Sequence, residues 1–67
     1  MTKDQAQVLK FIKKFWLDKG YSPSLNEIAH HMDWKAASQA HYVVKSLTER
    51  GKVKTIPGKT RSVEPLV

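Results

Sequence analysis

The side chains best suited to chemistry in this chain are Ser38, Gln39, His41 and Tyr42, with Lys45 one turn further on. They are short or planar hydrogen-bonding groups without negative charge. At about 100° per residue they share one side of a single helix with Ser46. Such a face suits the base edges of duplex DNA, where glutamine pairs bidentately with adenine and serine donates to or accepts from several bases. A helix entering a major groove carries residues of this kind near its N-terminus. Lys45 is spaced to reach a phosphate, and the positive end of the helix dipole adds a small attraction for the backbone. The segment KVKTIPGKTRSVE follows, with Lys54, Lys59 and Arg61 around a Pro57-Gly58 turn. A narrow cationic hairpin of this form can lie along a phosphate backbone or enter a minor groove. Taken alone, it reads equally as an edge strand guarded by lysines. The helix pair immediately before it tips the reading toward a wing.

Other chemistries find less support. His30, His31 and His41 invite a metal, but adjacent histidines point about 100° apart on a helix. The chain has no cysteine, and its histidines lack zinc-type spacing. Catalysis, a structural metal and a cofactor are therefore not expected. Sixty-seven residues fit one domain with one core and leave little room for a catalytic cleft. Stability of about 5 kcal/mol is the expectation for such a size. Without an apolar run of membrane-spanning length or a signal-peptide pattern, a cytoplasmic protein with no membrane partner is expected. The charge is uneven. Residues 1–34 carry five lysines against four acids, whereas residues 35–67 carry seven Lys or Arg against two acids. The excess sits on the second helix of the pair and on the hairpin, which favours a polyanionic partner over a merely solubilising surface.

Three helices are needed to position these groups. Thr2 with Gln5 forms a T-x-x-Q capping box, so a helix begins near Lys3, and Gly20 ends it near Lys19. Val8, Leu9, Ile12, Phe15 and Trp16 form its apolar stripe, with Lys3, Lys10, Lys13 and Lys14 opposite as a solvated back. Ser24 with Glu27 starts a second, short helix whose inward face is Leu25, Ile28, Ala29 and Met32. Asp33-Trp34-Lys35 is the turn, with Trp34 expected to plug the corner between helices rather than to stack on a base. The third helix runs from about Ala37 to Arg50, turns Ala40, Val43, Val44 and Leu47 inward, and ends at Gly51. Lys52 to Ile56 and Arg61 to Glu64 are the expected antiparallel strands, with Val53 and Val63 packed on the helices and Pro65-Leu66-Val67 as a frayed end. The fold class is mainly α with a small β-hairpin (α+β), a three-helix winged helix-turn-helix forming a single domain over residues 1–67.

The chain resembles the N-terminal DNA-binding domain of LexA-type repressors, in its Gram-positive versions. The likeness runs through Thr2-to-Gln5, Val8-Leu9-x-x-Ile12, Gly20-Tyr21-Ser22-Pro23-Ser24 and Glu27-Ile28-Ala29. It continues through Ser38, His41, Val44-Lys45-x-Leu47, Glu49-Arg50-Gly51 and Pro57-Gly58-Lys59-x-Arg61. The resemblance implies a third helix that reads a palindromic operator, with base-contacting positions at Ala36, Ser38, Gln39, His41 and Tyr42. Two departures bear on the operator. Ala36-Ala37 stands where the family usually has Ser-Pro, so a cap is missing, and Asp33 stands where a turn glycine is common. A typical SOS box is therefore not assumed. LexA proteins also carry a C-terminal self-cleavage and dimerisation domain, of which these residues hold nothing. A natural miniature repressor of phage or plasmid type is expected, somewhat ahead of an excised domain.

The resulting expectation is a sequence-specific binder of double-stranded DNA, a repressor of LexA-like type, with weak or DNA-induced dimerisation. Ser38, Gln39, His41 and Tyr42 read bases, and Lys35, Lys45, Lys54, Lys59 and Arg61 contact the backbone. The alternative is a winged-helix module that docks on another protein as a co-regulator or anti-repressor, since fold alone does not fix function. A docking surface would more often show an exposed aromatic or aliphatic patch than an acid-free polar face.

Overall fold

A computed structural model describes residues 2–56 and 61–66 of the chain. Helix α1 spans Lys3–Lys19, α2 spans Leu25–His31 and α3 spans Ala37–Glu49. Strands β1 (Val53–Lys54) and β2 (Glu64–Pro65) form a two-stranded antiparallel sheet with Val53 opposite Pro65 and Lys54 opposite Glu64. The three helices and the wing strands bear out the winged helix-turn-helix expectation. The Pro57-Gly58 turn lies outside the described residues.

The helix limits follow from local chemistry. At α1 the Thr2 hydroxyl accepts from Gln5 N–H at 3.2 Å, while Thr2 N–H donates to Gln5 Oε1 at 3.1 Å. At α2 the same reciprocal bonds join Ser24 and Glu27, at 3.2 and 2.8 Å. Each pair satisfies two amides that a helix start otherwise leaves orphaned. Gly20 closes α1 with φ +79°, its N–H reaching Trp16 O at 2.9 Å, and Gly51 follows α3 with φ +74°. Both angles favour glycine, because a Cβ is strained there. Between α2 and α3, Asp33 takes φ +59°, the glycine-like conformation that the turn demands, and Trp34 N–H bonds Ala29 O at 2.8 Å.

One core joins all the elements. Val8, Leu9 and Ile12 of α1 meet Ile28 and Ala29 of α2 and Ala40, Val44 and Leu47 of α3, and Val53 and Val63 close it from the wing. Phe11, Trp16, Leu25, Met32, Trp34 and Val43 pack partly buried around it. Trp34 thus lies against the core at the corner, as expected. At about 25 cal/mol per Å² of apolar area, burial of this set is the main stabilising term of so small a fold.

The wing differs from the sequence-based expectation in its return arm. Arg61 to Val63 do not pair as a strand; β2 starts at Glu64 and includes Pro65, and Leu66 N–H donates to Lys52 O at 2.8 Å. The reason is competition for the backbone. Val63 N–H donates to Ser22 Oγ at 2.9 Å, and Val63 O accepts from Trp16 Nε1 at 2.8 Å. The arm is thus bonded to α1 and to the α1–α2 connector before it meets β1. Val53 and Val63 are buried as expected, but Pro65 belongs to the sheet rather than to a frayed end.

Candidate nucleic-acid interface

Helix α3 is positioned by its buried stripe. Ala40, Val44 and Leu47 anchor it against the other helices, which turns its opposite side outward. Ser38, Gln39, His41, Tyr42 and Lys45 are all exposed there, Tyr42 at 70% of its surface. The His41 and Tyr42 rings lie edge to face, 6.1 Å between centroids. Ser46, expected on this face, is not part of it: its hydroxyl accepts from Gln5 Nε2 at 2.7 Å and ties α3 to α1. The exposed polar face is therefore shorter than the periodicity suggested, confined to the first two turns and Lys45.

The start of α3 is open. Ala36 occupies the N-cap in an extended conformation and makes no side-chain cap bond, and the first turn carries no acid. Gln39 N–H finds only Ala36 O, at a long 3.3 Å. Lys35 and Ala36 are both exposed at this end. A 13-residue helix whose first amides lack a side-chain acceptor presents partial positive charge to whatever approaches it.

The wing supplies cations beside this face, in different states of engagement. Lys54 Nζ lies 3.5 Å from Glu64 Oε2, with both side chains about half exposed. Such a surface pair is worth about 0–1 kcal/mol, so a phosphate can replace it at little cost. Lys59 lies outside the described residues. Arg61 is engaged inward, its Nη1 donating to Ser22 O at 3.0 Å and to the Glu27 carboxylate. A groove between α3 and the wing is bordered by Leu25, His41, Lys45, Thr48, Thr55 and Ile56. Leu25, Val44 and Val63 give it apolar surface, while α3 contributes His41, Lys45 and the acid Glu49.

No group of three or more potential metal ligands occurs among the described residues. His31 instead stacks on Phe11, with centroids 4.1 Å apart and rings 14° from parallel. No helix among the described residues is long and apolar enough to cross a membrane.

A family model described as the LexA DNA binding domain matches residues 1–62. The chain belongs to the LexA DNA-binding domain family. The LexA repressor of Syntrophomonas wolfei is 39% identical to it over 64 residues, covering 96% of this chain and 31% of the relative. The LexA repressor of Pelotomaculum thermopropionicum is 38% identical over 66 residues, covering 98% and 32%. That of Pseudoalteromonas atlantica is 36% identical over 69 residues, covering 98% and 33%. The chain spans about a third of the length of these curated relatives.

Within this LexA-type domain, sequence reasoning missed the contacts of three residues, two of which tie the wing arm to the helices. Ser22, only 2% exposed, accepts from Val63 N–H through its hydroxyl and from Arg61 through its carbonyl. Glu27 serves both the α2 cap and Arg61. Phe11, left out of the apolar stripe, packs against the core beneath His31. The capping box pointed to half of Glu27's role; the contacts of Ser22 with Arg61 and Val63 span 39 and 41 positions and leave no local signal.

Proposed function

We propose that this LexA-type domain, acting as one unit over residues 1–67, binds double-stranded DNA sequence-specifically and represses transcription. Helix α3 enters the major groove, where Ser38, Gln39, His41 and Tyr42 meet base edges and Ala36 approaches closely at the helix start. Lys35, Lys45 and Lys54 face the phosphates, and Lys59 is assigned to the backbone by its charge and sequence position alone. Arg61 has its Nη1 bonded inside the protein, to Ser22 O and to the Glu27 carboxylate. The observation that carries this reading is the exposed, acid-free first half of α3, flanked by cations from the turn and the wing. The protein works in the cytoplasm, at the nucleoid. The operator is a palindrome: one domain covers a small half-site, and two copies on one duplex raise affinity through avidity.

Selection of bound sequences from a random duplex pool, followed by salt titration, tests the reading. The selected sites are expected to be inverted repeats. Gln39→Ala should cost about 1–3 kcal/mol on the best site and relax the preference at one base position. Lys45→Ala should weaken all duplexes alike and lower the salt slope by about one. If both variants weaken every sequence equally, Gln39 does not read a base. If no duplex is bound at low salt, the function is a different one.

A further inference from the structure

The arm after the wing tip is fastened to the helix pair by side chains that the reading face does not use. Arg61 Nη1 spends its two hydrogens on Ser22 O and Glu27 Oε1, so neither points to a third acceptor. The guanidinium carbon lies 5.1 Å from the centroid of the Tyr21 ring, within cation–π range. Glu27 Oε1 is itself fixed, because it accepts Ser24 N–H at the start of α2. Two residues on, Val63 is buried and bonded at both its N–H and its carbonyl. The ion pair thus sits at the edge of a buried junction between the wing arm and the helices.

We infer that Glu27 and Arg61 are a positioning pair that sets the wing's placement against α3, and that Arg61 supports DNA binding through that placement rather than by contact with a phosphate. The inference rests on the DNA-binding reading for its effect on affinity, but not for the placement itself. Charge separates the two roles of Arg61. If Arg61 is a phosphate contact, Glu27 merely competes for it, and removing that acid from beside a polyanion should tighten binding. If Glu27 holds Arg61 so that the wing is placed, removing the same acid should weaken binding. The two accounts predict opposite signs for one substitution.

The experiment uses Glu27→Gln, Arg61→Gln and the double variant in the whole 67-residue chain. Glutamine serves at the third position of a capping box, so Glu27→Gln keeps the start of α2. Affinity is read by fluorescence anisotropy on the selected duplex, and amide hydrogen exchange is read on the free protein. Each single variant is expected to weaken binding about threefold to fivefold, as suits a partly exposed ion pair, and the double variant no further. The salt slope of Arg61→Gln should match that of the wild type, since no phosphate contact is lost. In the free protein, the Val63 and Leu66 amides should exchange faster in each variant, while the core amides of Ile12 and Leu47 stay protected. Tighter binding by Glu27→Gln, a lower salt slope for Arg61→Gln, additive losses, or unchanged exchange at Val63 would each overturn the inference. Wild-type protein that binds no duplex would remove the DNA reading and the affinity half of the inference, while exchange alone would decide the placement half.

Discussion

Helices α2 and α3 lie next to each other in the chain and begin in opposite ways. At α2, Ser24 and Glu27 close on each other, and Glu27 also holds Arg61. At α3, the equivalent positions are Ala36 and Gln39; Ala36 has no side-chain oxygen, and the Gln39 side chain makes no bond among the described residues. The start of α1 resembles α2, with Gln5 bonded to both Thr2 and Ser46. All three helices thus carry a carboxamide or carboxylate three residues after the cap, and two of the three use it inside the fold. The difference teaches that Gln39 is available to a ligand partly because Ala36 cannot draw it back. What looks like a missing cap leaves the first turn of α3 open.

The contrast predicts unlike consequences for the two caps. Ser24→Ala opens a closed box at a nearly buried position, and the expected loss is about 1–2 kcal/mol of stability. Thermal melts should show it, while the base preference of the selected site stays the same. Ala36→Ser makes the reverse change. Ala36 already has the extended backbone of an N-cap, so a hydroxyl there can accept Gln39 N–H without rearrangement. The expected gain is about 0.5–1 kcal/mol, at the low end for a cap because the site is exposed. If Gln39 reads a base as proposed, the gain should be accompanied by a weaker preference at that base, as the side chain folds back toward the cap. A melting temperature that does not rise would mean that the start of α3 is already satisfied, and the comparison between the two helices would fail.

What was legible in the sequence was what is local. The limits of α1 and α2 follow from Thr2 to Gln5, Ser24 to Glu27 and Gly20, all within a turn of the bonds they make. The inward stripe of α3 follows from spacing, because a helix that packs on one side must bury one side. The wing was legible as a basic hairpin but not in register. Periodicity assigned Arg61 to Glu64 to a strand, whereas Ser22 and Trp16, about forty positions earlier, take the backbone groups of Val63. Ser46 was misplaced for the same reason: its spacing put it on the exposed face, and Gln5 from another helix claimed it. Arg61 shows the limit for charge. Three wing cations look alike in composition, and it is the distant Tyr21, Ser22 and Glu27 that distinguish Arg61 from Lys54. The exposure of the α3 candidates Ser38, Gln39, His41, Tyr42 and Lys45 was legible because it follows from the buried stripe.

The smallest effect probes why the α2 start is closed. The Glu27 carboxyl is held below its ordinary value of 4.5, first by the Ser24 backbone N–H and then by Arg61, against a small opposing effect of burial. A carboxyl whose folded-state pKa is lowered stabilises the fold fully above the unfolded value, and that contribution is lost as pH falls through the folded pKa. Because Glu27 is about a third exposed, solvent screens the pair and the contribution is modest. The stability difference between wild type and Glu27→Gln should therefore be constant from neutral pH down to about 4.5. It should then shrink and vanish below the lowered pKa, where both side chains are neutral hydrogen-bonding groups at the same cap. Ala36→Ser involves no titrating group, so its gain should persist across that range. If the Glu27→Gln difference instead persists into strong acid, charge is not what Glu27 contributes. The hold on Arg61 would then rest on shape and hydrogen bonding, and the closed start of α2 would differ from the open start of α3 only in its donors and acceptors.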